Sequence, residues 1–288
     1  MRRTSAVVLL TATLLGCGGS SPEAAAPTTE AATTTASTAT TATTATTTAP
    51  PGGRYVALGS SIASGFGISN QSTDCGRSDR NYPTLLAASL DLDLTDVTCG
   101  AATVPNVVDT PQGDHPPQLD ALTADTTLVT VSVGGNDLVY NGTAVGCSDP
   151  ATECSAPPDL DARVATLGTA LLAMLDAIQT AAPNAVVVLV TYPREIPDTN
   201  CPELSLSDAE LAVLADIGRR LEQVFLDVAQ QSDIAFVDPY LEPGDHTGCA
   251  PADDRWVAGA VADDGFAFHP TALGHEVMAR MIEAALTN

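Results

Sequence analysis

From residue 53 onward the apolar and polar positions fall into blocks whose period switches between that of a strand and that of a helix. "RYVAL" (54–58) is an apolar run of strand length. "NYPTLLAASL" (81–90) has helical apolar spacing, and "LDLTDVTC" (92–99) alternates with period two. "TLVTVSVG" (127–134) is rich in β-branched residues and stops at Gly-Gly; "DLDARVATLGTALLAMLDAIQTAAP" (159–183) returns to helical spacing and ends at Pro. "NAVVVLVTYP" (184–193) is apolar throughout, as a strand covered on both faces of a parallel sheet must be. Residues 205–233 read as a second long helix, with Ser207 and Glu210 at capping-box spacing. "IAFVDP" (234–239) is a short strand and "TALGHEVMARMIEAAL" (271–286) a closing helix. Strands alternating with helices predict an α/β domain with a parallel sheet and right-handed crossovers.

Ligands of such sheets bind outside the carboxyl ends of the strands. The segments leaving the strands are therefore the place to look for chemistry. They are Gly59-Ser60-Ser61, Cys99-Gly100-Ala101-Ala102, Gly134-Gly135-Asn136-Asp137 and Tyr192-Pro193-Arg194.

The first 52 residues have a different texture. Arg2 and Arg3 precede the apolar run "AVVLLTATLL" (6–15), which is too short to span a bilayer as a mature helix. "LLGC" (14–17) resembles the bacterial lipobox, which implies cleavage before Cys17 and a diacylglycerol on its thiol. Residues 18–52 are dominated by Gly, Ser, Thr, Ala and Pro, a composition too poor in apolar surface to fold. The expected organisation is a lipoprotein signal peptide over 1–16, a lipidated Cys17 and disordered tether over 17–52, and one folded domain over 53–288. A coil of that tether's length spans about 30 Å. The chain is expected to be exported, as a cell-surface lipoprotein or a secreted protein, and to reach the membrane through Cys17.

Charge narrows the partners. There are 11 basic residues, all Arg, against 35 acidic ones, for a net charge of −24. That excludes sequence-independent nucleic-acid binding and opposes electrostatic docking on anionic bilayers. The cysteines fit export: once Cys17 is set aside, six of the 7 remain, an even number in an oxidising compartment. Six cysteines allow fifteen connectivities. Nearest-neighbour pairing gives Cys75–Cys99, Cys147–Cys154 and Cys201–Cys249. No Cys/His set has metal-ligand spacing, and neither metal nor organic cofactor is expected. His115 and His246 read as exposed loop residues, His275 as structural, Arg194 as one member of a surface ion pair, and Asp137 as a loop stabiliser.

A serine nucleophile needs a base, donors for an oxyanion and a turn that exposes its hydroxyl. Gly59-Ser60-Ser61 supplies the turn, with a helix start after it. Gly100 offers a backbone N–H that substrate can approach, Asn136 offers a side-chain NH2, and His269 in "DDGFAFHPTALGH" (263–275) offers a base. These four segments, in this order, resemble the SGNH hydrolase superfamily, also called GDSL-like lipases and esterases. "GSSIASG", "TCGAAT", "GGND" and "FHPTALGH" look like four of its blocks. The resemblance covers 55–286 and implies a flavodoxin-like three-layer α/β/α sandwich. It implies Ser61 as nucleophile and His269 as base, with the Ser61 amide, Gly100 and Asn136 in the oxyanion hole. Three disulfides are also familiar in actinobacterial lipases and esterases of this type.

Two positions depart from the pattern. Ser60 stands where the family has Asp, and Phe266 stands where it has the acid that orients the base. The expectation is a Ser–His dyad, with the Phe266 carbonyl orienting His269 ahead of Asp263 or Asp264. The chain is then a monomeric serine hydrolase acting on small-molecule or lipid carboxylic esters. Its rivals are a carbohydrate esterase or deacetylase on envelope glycans, and a catalytically silent envelope-binding module.

Overall fold

A computed structural model describes residues 52–287 apart from residues 73 and 243. The expectations for the leader over 1–16, for Cys17 and for the tether up to residue 51 lie outside the described residues. Five strands form one parallel sheet: β1 (Arg54–Gly59), β2 (Asp93–Asp96), β3 (Thr126–Ser132), β4 (Val186–Val190) and β5 (Ala235–Val237). Their spatial order is β2-β1-β3-β4-β5. This is the doubly wound order, in which the chain leaves β1 toward one edge and later builds toward the other. The crevice where the direction reverses lies at the carboxyl ends of β1 and β3.

The helices are α1 (Ser61–Ser64), α2 (Tyr82–Leu90), α3 (Val104–Val108), α4 (Tyr140–Cys147), α5 (Leu160–Ala181), α6 (Asp208–Gln231) and α7 (Ala272–Thr287). α2 packs on α7 and α5 on α6, and the sheet lies between these two layers. Tyr55, Val56, Ala57 and Leu58 of β1 are fully buried, as a central strand with helices on both faces requires. Val56 and Leu58 each contribute about 1.5–3 kcal/mol by burial. The one polar side-chain group of the four residues is satisfied, since the Tyr55 hydroxyl lies 2.7 Å from Thr130 Oγ1. α5 is long and apolar enough to cross a membrane, but Leu167, Leu171, Met174, Leu175 and Ile178 are buried and it packs on α6 as a core helix.

The long elements follow the sequence pattern closely. α6 begins with the expected reciprocal cap: Glu210 N–H donates to Ser207 Oγ, and Ser207 N–H donates to Glu210 Oε2. β2 is shorter than the alternating pattern predicts. After Asp96 the chain turns, because that carboxylate accepts from both the N–H and the hydroxyl of Thr98. α3 and α4 lie where no helical period is legible. α4 carries two glycines in eight residues and starts from Val139, which sits at φ 58°. The disulfides join Cys75 to Cys99, Cys147 to Cys154 and Cys201 to Cys249.

Candidate active site

Ser61 is the first residue of α1, directly after β1. Gly59 makes the turn at φ 141°, and a Cβ there would stand 2.4 Å from the Ser132 carbonyl oxygen. Gln118 clamps the same glycine: Gly59 N–H donates to its Oε1 at 2.7 Å, and its Nε2 donates to the Gly59 carbonyl at 2.9 Å. The Ser60 amide donates to the Ser132 carbonyl, while the amides of Ala63 and Ser64 close the turn on Ser60. As the first amide of a helix, Ser61 N–H has no partner within it. Ser60 makes no side-chain cap; its hydroxyl lies 3.2 Å from the Tyr192 hydroxyl.

His269 sits 208 residues away in sequence, with Nε2 2.9 Å from Ser61 Oγ. Its Nδ1 lies 2.8 Å from the Ala267 carbonyl oxygen. A carbonyl only accepts, so Nδ1 carries the proton and Nε2 presents a lone pair to the Ser61 hydroxyl. The ring is 4 % exposed. Burial pushes its pKa down to about 4, against a smaller upward pull from the Ala267 carbonyl. At neutral pH the imidazole is therefore uncharged and able to take a proton.

The orienting carbonyl is that of Ala267, which corrects the expectation for Phe266. The Phe266 carbonyl instead accepts from the His269 backbone N–H at 3.1 Å. Phe268 at φ 56° bends the chain so that the ring reaches two residues back. Asp264 is committed elsewhere, accepting from Ser69 and Arg80. Neither it nor Asp263 contacts His269 among the described residues.

The second block also needs a correction. Gly100 lines the site, but its N–H donates to the Cys75 carbonyl at 2.8 Å. Its missing Cβ makes room for Phe66, whose Cδ2 would otherwise lie 2.9 Å away. Ala101 lines the same cavity at φ 64°, and no hydrogen bond takes its N–H among the described residues. Asn136 uses one Nδ2 hydrogen on the Ala102 carbonyl at 2.9 Å, which leaves the other for a ligand. Asp137 holds the Val104 amide at 3.2 Å. Its carboxyl, pushed up to about 6 by burial, stabilises the loop, as expected.

These groups face a cavity of about 350 Å³. Its apolar wall includes Phe66, Phe266 and Val145. The two phenyl rings meet edge to face at 5.2 Å, and Phe266 stands 5.1 Å from the His269 ring. The sequence analysis missed Phe66 and named Phe266 only for its carbonyl, because a lone Phe in a loop carries no period that would place its ring.

The remaining candidates lie elsewhere. Arg194 pairs with Asp198 and lies over the Tyr240 ring. His115 and His246 are half-buried rather than exposed: His115 pairs with Asp74, and His246 stacks on Trp256 beside Asp254. His275 is buried in α7. Cys75, Cys99 and His115 lie close together, but both sulfurs are held in the disulfide and leave no thiolate for a metal.

The profile of the GDSL-like Lipase/Acylhydrolase family matches residues 57–277. Lipase 2 of Streptomyces coelicolor is 32 % identical, over 78 % of this chain and 83 % of that protein. An esterase of Streptomyces scabiei is 29 % identical, over 79 % and 84 %. The crystal structure of an extracellular lipase from Streptomyces rimosus superposes with a TM-score of 0.67 at 27 % identity, covering 81 % of this chain and 99 % of that one.

Proposed function

The chain belongs to the GDSL-like lipase/acylhydrolase family and is a carboxylic ester hydrolase, and we propose that it works through Ser61 as nucleophile and His269 as base. The observation that carries this reading is the 2.9 Å contact between His269 Nε2 and Ser61 Oγ, with Nδ1–H fixed on the Ala267 carbonyl. Ser61 Oγ attacks the acyl carbon as its proton passes to His269 Nε2. The imidazolium keeps its Nδ1–H on Ala267, so a backbone carbonyl does the orienting work that a carboxylate does in a triad. The carbonyl oxygen gathers negative charge against the N–H groups of Ser61 and Ala101 and the free Nδ2 hydrogen of Asn136. Ala101 takes the place first assigned to Gly100. Collapse breaks the ester C–O bond, and the alkoxide leaves with the proton from His269. Water then attacks the acyl group and gives a proton to His269; as the acyl C–Oγ bond breaks, that proton returns to Ser61 Oγ and the carboxylic acid departs.

The wall of Phe66, Phe266 and Val145 suits an aliphatic acyl chain better than an acetyl group on a sugar. Turnover of p-nitrophenyl esters from acetate to decanoate, with Ser61→Ala and Ser60→Ala beside the wild type, tests the reading. Activity lost only in Ser61→Ala, with a preference for chains longer than acetyl, supports it. A protein inert to every ester and to fluorophosphonate is instead a binding module. Export by way of residues 1–16 and lipidation at Cys17 belong to the same proposal. Mass spectrometry of the mature N-terminus tests them, and an unmodified or uncleaved Cys17 refutes the anchor.

A further inference from the structure

The segment that leaves β4 reaches three loops of the site. The Tyr192 hydroxyl accepts from Gly135 N–H at 3.0 Å and lies 3.2 Å from Ser60 Oγ, so it bridges the residues beside Asn136 and Ser61. Three residues on, Glu195 is 1 % exposed and its Oε1 accepts from Asn141 Nδ2 at 2.9 Å. The second hydrogen of that amide goes to the Phe268 carbonyl at 3.2 Å. Phe268 immediately precedes His269 and is held at φ 56°. Both donors of Asn141 are thus spent between Glu195 and the loop that carries the base.

We propose that Glu195 is a positioning residue: acting through Asn141, it holds the Phe268–His269 loop so that Nε2 stays within hydrogen-bond reach of Ser61. This rests on the ester-hydrolase reading above. A bulky residue at positive φ persists only where its surroundings over-determine it. Here the Asn141 amide, the Gly259 carbonyl that accepts the Phe268 N–H, and burial of the Phe268 ring do so. Remove Glu195 Oε1, and the Asn141 amide loses the contact that fixes its rotamer. Glu195 does not itself line the cavity, which it meets only through its partner Asn141, and its Oε2 has no partner among the described residues. A buried carboxyl so poorly satisfied costs stability that a leucine would not. Burial also raises its pKa well above the ordinary carboxylate value, and glutamine is nearly isosteric with its carboxyl group.

The test compares kcat, KM and melting temperature for p-nitrophenyl butyrate in wild type, E195L and E195Q, with S61A as the blank. E195L should melt at or above the wild-type temperature and keep KM within about twofold, while kcat falls about tenfold to a hundredfold, the scale set by misplacing a catalytic group by an ångström or less. E195Q, whose amide oxygen still accepts from Asn141, should stay within about threefold of wild-type kcat. Wild-type kcat in E195L overturns the proposal. So does equal loss in E195L and E195Q, or a loss in E195L matched by a fall in melting temperature. Should E195L not fold, N141D removes the same donors with little change of volume; reduced kcat at unchanged melting temperature supports the proposal, and wild-type kcat sinks it. A folded wild type with no esterase activity defeats the ester-hydrolase reading and this inference together. An active wild type with an indifferent E195L defeats this inference alone.

Discussion

His269 and His275 stand six residues apart, one on the loop entering α7 and one within that helix, and both are almost wholly shielded from water. Burial pushes the pKa of the first down to about 4 and that of the second to about 3. Their partners differ. His269 donates from Nδ1 to the Ala267 carbonyl and faces a hydroxyl whose proton can move. His275 accepts at Nδ1 from the Tyr82 backbone N–H at 3.1 Å, the first amide of α2, and stacks on the Tyr82 ring. One ring opens onto the cavity at the sheet edge; the other joins α2 to α7. The displaced imidazole pKa values report chiefly burial, which is common to both rings. The role follows from what stands on the unprotonated nitrogen.

The largest effect that tests this contrast is on turnover. His269→Gln should lower kcat/KM by about 10³-fold or more, and His275→Gln by less than about threefold, since only the first is positioned as a general base. Ester hydrolysis by the two variants under identical conditions measures both. Equal losses would erase the distinction. Stability should reverse the order. His275→Ala leaves the Tyr82 N–H buried without an acceptor, which costs about 1–3 kcal/mol. Urea unfolding of His275→Ala and His269→Ala measures the difference, and a smaller loss at 275 would contradict the assigned roles.

Acid separates the two rings further. The folded pKa of His275 lies below that of a free imidazole, so the unfolded chain takes the proton first as pH falls. Its contribution is therefore intact above about pH 6.5 and is lost on the way down to about 3. Wild type should lose stability more steeply than His275→Gln across that window, by up to about 1.4 kcal/mol per pH unit. Glu222, raised to about 8, and Asp137, raised to about 6, act with the opposite sign: each favours the fold at low pH and loses that contribution as pH rises. Both groups are present in either protein and cancel in the difference. The acid limb of kcat/KM belongs to His269, near pH 4, and should not move in His275→Gln. A limb that shifted with the substitution would mean that the two sites are not separable.

The helical face carrying His275 was legible in sequence almost residue for residue, and the edge carrying His269 only in part. Long elements announce themselves by period: α5 and α6 were predicted within two or three residues of their ends. Ser61, Asn136 and His269 could be proposed because each lies at a strand exit or helix entry in a block that resembles one of the SGNH family's. The Gly100 amide is spent on Cys75, so that Ala101 is proposed in its place, and the Ala267 carbonyl stands where that of Phe266 was expected; each lies one residue from the expectation. Both are backbone groups at or beside a positive φ, and no side chain advertises which amide or carbonyl such a bend will turn inward. Asn141, Tyr192 and Glu195 act through contacts of 54 or more residues in sequence, which local pattern does not encode.

The smallest effect concerns that bent backbone. Among residues lining the cavity, Ala101 holds φ 64°, a conformation in which an L side chain crowds its own backbone. Ala101→Gly relieves that crowding but frees the unfolded chain, so the net gain should be modest, about 0.5–1 kcal/mol. Gly100→Ala should move the other way, because its new Cβ meets the Phe66 ring at 2.9 Å. The pair reads out which position carries the strain. If Ala101→Gly destabilises the protein while Gly100→Ala is silent, the left-handed bend is not where the structure puts it. The Ala101 amide would then lose its place beside Ser61 N–H and Asn136. If instead Ala101→Gly stabilises by the expected amount, the edge is holding an unfavourable backbone to keep that N–H turned toward the cavity. No comparable strain surrounds His275, whose neighbours from Tyr82 to Leu90 and from Ala272 to Thr287 are ordinary helix.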